Sequence, residues 1–302
     1  MEIGLGIDGR LALSAAEQAD IAAEAALLGY TSLWTPARDD DPFDLCALWH
    51  RASGLETGIS VLPIDRWPVE RLVAGTRTAR ERTAGRFTLG VGAGAVRDTP
   101  IKKMRELASV LRASLGGART YLAALGPQML RLAGERYDGA ALNWCAPEHT
   151  LWSRERVAAG ALAAGRDPRD VVIHQYIRVC VDPDVVAARR ALAKMTLSYA
   201  MNRPGADPTM GYRGHFARMG FDADLARLEA DRERGAGPDA LADGLPDALL
   251  ARVGWWGPPD RAAAGFTVLT AGLDVAVVRV VAATSNGAEC VRLAMRSCVR
   301  AA

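Results

Sequence analysis

Lysine is almost missing from this chain. It occurs only at Lys102, Lys103 and Lys194, while arginine and alanine are abundant. This is the mark of a GC-rich genome and carries no chemistry of its own. Charge of one sign is missing too: 37 basic side chains face 35 acidic ones, for a formal net charge of +2. That balance argues against nucleic acid or an anionic membrane as the main partner. The five cysteines, Cys46, Cys145, Cys180, Cys290 and Cys298, contain no Cys-x-x-Cys pair and are odd in number. Neither a disulfide framework nor a structural zinc site is expected, and each cysteine is read as a small buried hydrophobe. Met1-Glu2-Ile3-Gly4 has neither the charged start nor the long apolar run of a secretory leader, and no apolar run is long enough to span a bilayer. A cytoplasmic location is expected.

What is present is a rhythm. Short apolar runs alternate with amphipathic helical patterns over the whole length of 302 residues, half of them hydrophobic. The predicted strands are Ile3 to Ile7, Ser32 to Thr35, Thr57 to Leu62, Phe87 to Val91, Thr120 to Ala124, Ala140 to Trp144, Val171 to Val181 and Val275 to Val281. Helices are expected between them. The first has Ser14 as N-cap with Glu17 three residues on, the pattern of a capping box, and Ile21, Ala25 and Leu28 on its apolar stripe. Pro42, Pro68, Thr99-Pro100, Gly126-Pro127 and Pro147-Glu148 open others. The Pro100 helix is given Ile101, Met104, Val110 and Leu111 as its inner side. A closing helix is placed from about Gly287 to Val299. Strands that are apolar at nearly every position suit a parallel sheet covered on both faces. Eight strand–helix units imply a closed (β/α)8 TIM barrel in one domain, 1–302, with a doubly wound open sheet as the alternative.

One interval breaks the rhythm. Roughly ninety residues separate the seventh and eighth strands, and the excess lies at about 201–256. It holds Tyr212, His215, Phe216, Met219, Trp255 and Trp256. Such an excursion on the catalytic face either builds a lid or substrate pocket or is a plain helical decoration.

The chemistry of a barrel sits at the C-terminal ends of its strands. Those ends supply Asp8, Thr35, Ser60, Val61, Gly92, Ala93, Gly94, Ala124, Leu125, Gly126, Pro127, Asn143 and Trp144. They show no clustered carboxylates, no histidine pair at ligand spacing and no Ser-His-Asp signature, so metal hydrolysis and nucleophilic catalysis lose support. Small, backbone-rich ends suit a large flat cofactor that brings its own reactivity. Gly90-Val91-Gly92-Ala93-Gly94 has its third glycine too early for a dinucleotide fingerprint and reads as a tight turn. Gly126-Pro127 opens a helix directly after a strand, which is either a phosphate cradle or an ordinary turn. Asp8 either orders its loop or serves the site. His149 near the rim could donate a proton or hold phosphate, and His215 in the insertion could reach substrate. His50 and His174 read as structural.

Taken together, Thr57-Gly58-Ile59-Ser60-Val61-Leu62-Pro63, the run from Gly85 to Gly94, Tyr121 to Leu130, and Ala133-Gly134-Glu135-Arg136-Tyr137-Asp138-Gly139 resemble the bacterial luciferase-like monooxygenase superfamily. The resemblance covers Met1 to about Asp182 strongly and Gly257 onward weakly. It is nearer to the branch using the deazaflavin coenzyme F-420 than to the branch using reduced FMN. It implies a barrel with an insertion after strand seven, often a homodimer, and a non-proline cis peptide at Ser60-Val61. It also implies a cofactor phosphate near Gly126-Pro127, with the ring system over the strand ends. Two departures matter. F-420-dependent glucose-6-phosphate dehydrogenases carry Asp-His where this chain has Pro36-Ala37, and Glu where it has Ala95. Sugar-phosphate oxidation is therefore not expected. The connection at Gly116-Gly117-Ala118-Arg119 is also shorter than in many relatives.

The expectation is an F-420-dependent reductase that passes hydride to an unsaturated C=C or C=N bond of a small molecule, in a setting such as secondary metabolism. Asp8, His149 and His215 are the proton-donor candidates. The alternatives are an FMN-dependent monooxygenase and a barrel that binds a ligand without catalysis.

Overall fold

The computed structural model describes residues 1–36 and 41–299. Its elements alternate as the patterning requires. They run β1 (Glu2–Gly6), α1 (Ala15–Leu27), β2 (Ser32–Thr35), α2 (Pro42–Ser53), β3 (Glu56–Pro63), α3 (Val69–Arg82), β4 (Phe87–Gly92), α4 (Pro100–Leu115), β5 (Arg119–Ala123), α5 (Pro127–Arg136), β6 (Gly139–Asn143), α6 (Pro147–Ala163), β7 (Val172–Val181) and α7 (Val185–Ala200). The chain continues through α8 (Gly211–Phe216), α9 (Asp222–Glu233), α10 (Pro238–Asp243), α11 (Asp247–Val253), β8 (Gly254–Gly257), α12 (Ala262–Val268), β9 (Val275–Val280) and α13 (Gly287–Cys298).

Every strand pairing is parallel, and the sheet closes. β9 lies against β1, with Glu2 to Gly6 opposite Val275 to Arg279, and on its other edge against β7 from His174 to Val179. The barrel is therefore an eight-stranded (β/α)8 ring of β1 to β7 and β9, as the eight apolar runs imply. The local signals hold as well. Ser14 and Glu17 form the reciprocal capping box that starts α1, and Pro42, Pro100, Pro127 and Pro147 each stand in the first turn of their helices. All five cysteines are free and buried. The peptide bond Ser60-Val61 is cis.

The barrel interior is packed with rings below the mouth. Trp34 stacks on Tyr121 with centroids 5.8 Å apart and meets His174 at 4.3 Å. Gly58 makes room for that indole, since a Cβ there would fall 2.3 Å from Trp34 Cζ3. His174 thus belongs to the core, as its early place in the seventh strand suggests. Burial pushes its imidazole down to about 3, so it stays uncharged.

Three expectations need correction. Val110 is not on the inner side of α4, because the buried stripe is Met104, Leu107, Ala108, Leu111 and Leu115 and Val110 falls off that period. The sixth strand ends at Asn143, since Trp144 takes a positive φ of 60° that stops the ladder. The interval between the seventh and eighth barrel strands hides a ninth strand. β8 is Gly-Trp-Trp-Gly and pairs with Arg178 to Val181 of β7, on the edge that β6 leaves after Tyr176. The helices before it, α9 to α11, pack with α7 around a second apolar core of Leu192, Phe216, Leu225, Leu228, Leu249 and Leu250. No helix among the described residues is long and apolar enough to cross a membrane.

Candidate active site

The mouth of the barrel has two unlike halves. Along β3, β4 and β5 the strand ends are small. Gly92 sits so close to its neighbours that a Cβ would meet Ala123 Cβ at 3.0 Å and Val61 Cγ2 at 3.1 Å. Gly94 turns the chain with φ +59°, and a side chain there would strike Asp65 Oδ1 at 1.8 Å. Beyond β5, Ala124 is buried and Gly126 becomes the N-cap of α5 without any side-chain cap. A Cβ on Gly126 would meet nothing within 4 Å. The first-turn amides of α5 are therefore left to water or an anion, beside open space. Thr35, buried at the end of β2, donates its hydroxyl to the Pro36 carbonyl 3.1 Å away. Ala37, where the sugar-phosphate enzymes would carry His, lies outside the described residues.

Along β6, β7, β9 and β1 the mouth is filled instead. Arg279 of β9 ion-pairs with Asp8, and both side chains are buried. Gly6 opposite them is closely hemmed in, since a Cβ would lie 3.0 Å from both Arg279 Cδ and Tyr176 Cε1 and those side chains would have to give way. Arg178 of β7 donates to the Asn143 side-chain carbonyl and, at 3.2 Å, to the Tyr176 carbonyl. Its guanidinium lies 3.9 Å from the Trp144 ring centroid and 5.5 Å from that of Tyr199 in α7. Burial lowers Arg178 to about 10. Asn143 donates in turn to the Tyr212 hydroxyl, which ties α8 of the insertion to β6. Burial would raise the half-buried Tyr199 phenol, but Arg178, Arg10 and Arg279 outweigh it and leave the phenol below its ordinary value.

The two histidines that sequence spacing keeps apart are brought together. His149 at the start of α6 and His215 in α8 have ring centroids 4.9 Å apart. His215 is buried, and its Nε2 lies 2.9 Å from the Trp144 carbonyl, so Nε2 carries the proton and Nδ1 is left without a partner. Burial lowers His215 to about 4, and burial also lowers His149, against a hydrogen bond to the Leu125 backbone. Both are uncharged at neutral pH. They are proton acceptors there and not ready acids. Asp8, ion-paired with Arg279 and with Arg10 at 3.8 Å, is likewise an acceptor as it stands.

Sequence reasoning missed Arg178, Arg279, Tyr176 and Tyr199. A signal existed for the arginines: each is the one arginine of a largely apolar strand, at an inward position of its period-two alternation. It did not find the histidine pair, because the two residues come from segments 66 apart and meet only through the fold.

A closed barrel whose mouth joins a small-residue ledge to a polar wall is of the kind that works at the C-terminal ends of its strands. The chain belongs to the luciferase-like monooxygenase family, which matches residues 96–274. It is 30% identical over 172 residues to the 5,10-methylenetetrahydromethanopterin reductase of Methanolobus tindarius, a match covering 57% of this chain and 50% of that one. The chain thus spans half the length of that relative. With the reductase of the same name from Archaeoglobus fulgidus it is 27% identical, over 66% of this chain and 70% of the other. Among solved structures the fold matches the coenzyme F-420-dependent tetrahydromethanopterin reductase of Methanopyrus kandleri, with a TM-score of 0.78 at 16% identity over 98% and 97% of the two chains.

Proposed function

We propose that this chain is a single luciferase-like barrel domain, with the insertion at 201–256 as its lid. In this reading it catalyses F-420-dependent hydride transfer to an unsaturated C=C or C=N bond of a small molecule. The observation that carries it is the β3–β5 half of the mouth, a ledge of Val61, Gly92, Ala93 and Ala124 that ends in the open, uncapped start of α5 at Gly126. The F-420 dependence named for the solved Methanopyrus kandleri enzyme supports the choice of deazaflavin over FMN.

F-420, when bound, supplies the hydride. The chain's own part is to bind, orient and manage protons. The residues fit the group. Backbone amides at the start of α5 suit a phosphate, and the buried, unpartnered His149 Nε2 lies on the same side, against Leu125. In this reading Thr35, Ser60, Gly94, Leu125 and Pro127 complete the ledge, and Asn143 and Trp144 bound it where β6 begins the polar wall. With both imidazoles neutral and Asp8 ion-paired, His215 Nδ1 and Asp8 hold or accept a proton, and the proton that completes reduction is drawn through them from water. A tailoring reaction in secondary metabolism, a homodimer and a cytoplasmic location belong to the same reading, and sedimentation of the purified chain checks the dimer.

Titration with F-420 and with FMN, followed by turnover with the reduced forms, is the test. Binding of F-420 with oxygen-independent reduction of an unsaturated acceptor is expected. FMN binding with oxygen-dependent turnover and no F-420 binding would establish the monooxygenase instead. Binding of neither would leave a ligand-binding barrel.

A further inference from the structure

Three guanidinium groups meet in the polar half of the mouth. Arg178 and Arg279 lie 5.9 and 4.7 Å from the Tyr176 ring centroid, and Arg10 lies 6.0 Å from that of Tyr199. Among the described residues the one carboxylate that ion-pairs with any of them is Asp8, which takes Arg279 and Arg10. Arg178, 4% exposed, has only neutral partners: an amide oxygen, a backbone carbonyl and aromatic faces. Two donors in the same cluster are buried without any partner, Arg279 Nη1 and the Tyr176 hydroxyl. Buried cations in excess, with unsatisfied donors beside them, are costly unless something negative completes them.

A groove of about 600 Å³ between α7 and the ends of β1 and β9 reaches Asp8 and Arg10 at the edge of this cluster. Its wall cations are already neutralised, Arg190 by Asp243 and Lys194 by Asp239, and the rest of the wall is largely apolar, including Leu11, Met195 and Val281. The groove is thus apolar and charge-balanced along its length, and where it reaches Asp8 and Arg10 it adjoins the buried Arg279 that pairs with Asp8. It lies across the ring of strands from Gly126, since β1 and β9 stand opposite β5.

We propose that this cluster is the specificity site for the substrate. It receives a carboxylate at the end of an apolar body, held by Arg178 and Arg279 with the Tyr176 hydroxyl. The inference rests on the mouth being the site of an F-420-dependent reductase and adds the chemical class of its substrate. The acid end is gripped from the wall opposite the cofactor ledge, and the reacting bond lies between. Charge-assisted hydrogen bonds to a carboxylate are about twice as strong as neutral ones, so the site discriminates an acid from its amide.

Benzoate and benzamide, alike in shape, are the probes, titrated calorimetrically into the protein with F-420 binding measured separately. Benzoate is expected to bind about tenfold or more tighter than benzamide. Arg178→Met should remove most of that preference, and Arg178→Lys should restore part of it. Equal binding of the two probes, no binding of benzoate, or an unchanged preference in Arg178→Met overturns the proposal. If Arg178→Met does not fold, Tyr176→Phe, which removes only a hydroxyl without a partner, must weaken benzoate binding more than benzamide binding in its place. Benzoate preference without F-420 binding would overturn the cofactor reading and leave the acid site standing. F-420 binding without benzoate preference would overturn the acid site alone.

Discussion

The two halves of the barrel mouth solve opposite problems. On the β3–β5 side, side chains are withheld: Gly92 is tightly crowded, Gly94 turns with a positive φ that a larger residue resists, and Gly126 leaves space beside the start of α5. On the β6–β7–β9–β1 side the mouth is filled by Trp144, Arg178, Tyr176 and Arg279, each engaged with a neighbour. The first side gives up packing to keep a surface open. The second uses buried charge and rings to build a wall, and it bears the energetic risk of doing so. Substitutions should therefore separate. Changes in the wall should register in stability, and changes on the ledge should register in cofactor affinity.

The largest effect is expected from Arg279→Met, which takes from the buried Asp8 the most buried of its ion-pair partners. Breaking such a pair costs about 3–5 kcal/mol, and urea unfolding should show a loss of that order. A loss below about 1 kcal/mol, the worth of an exposed pair, would remove the distinction between wall and ledge. The next effect is on pH dependence. Burial lowers His215 to about 4, so the folded protein favours its neutral form. This contribution is fully present above the unfolded value of about 6.5 and is lost as pH falls from there toward 4, amounting to roughly 3 kcal/mol. His215→Gln should flatten the acid limb of a stability–pH curve across that window, and an unchanged slope would show that the imidazole is not held neutral by the fold.

Gly126→Asp tests the ledge. Its side chain enters open space, so unfolding should be unaltered, while a carboxylate at the start of α5 should weaken F-420 binding by about tenfold or more. A folded variant with unaltered affinity would remove the phosphate from this helix. The smallest effect belongs to Tyr212→Phe, which removes the hydroxyl that accepts from Asn143. Loss of one hydrogen bond should cost about 0.5–1.5 kcal/mol, and proteolysis within 201–222 should speed up if this bond holds the insertion down.

Much of this architecture is written locally. Strand ends, the Ser14–Glu17 box, the proline-opened helices and the buried cysteines follow from period and capping, which act over a few residues. The cis bond at Ser60-Val61 came from motif resemblance and could not come from composition. β8 escaped notice because Gly-Trp-Trp-Gly is short, has no alternation and stands in a run of glycines, prolines and aspartates. Its partner is fixed by the edge that β6 vacates, a fact of three dimensions. The same holds for the wall. An arginine in a strand can face the helices or the lumen, and only closure of the ring makes Arg178 and Arg279 neighbours. The small strand ends of the ledge were readable because absence of bulk is a property of the residue itself.

The pairing of β8 with β7 has a consequence for how such proteins diversify. The excursion leaves the barrel after Val181 and returns at Gly254, and both points lie in one ladder, Arg178 to Val181 against Gly254 to Gly257. The intervening segment is a cassette whose two ends are already clasped together by the wall it decorates. Ring closure through β9 and β1 does not depend on what the cassette contains. Exchanging residues 182–253 for the corresponding segment of a relative should therefore change which molecules reach the mouth while leaving the ring intact. Graft boundaries placed in the ladder would respect a joint that the fold itself supplies.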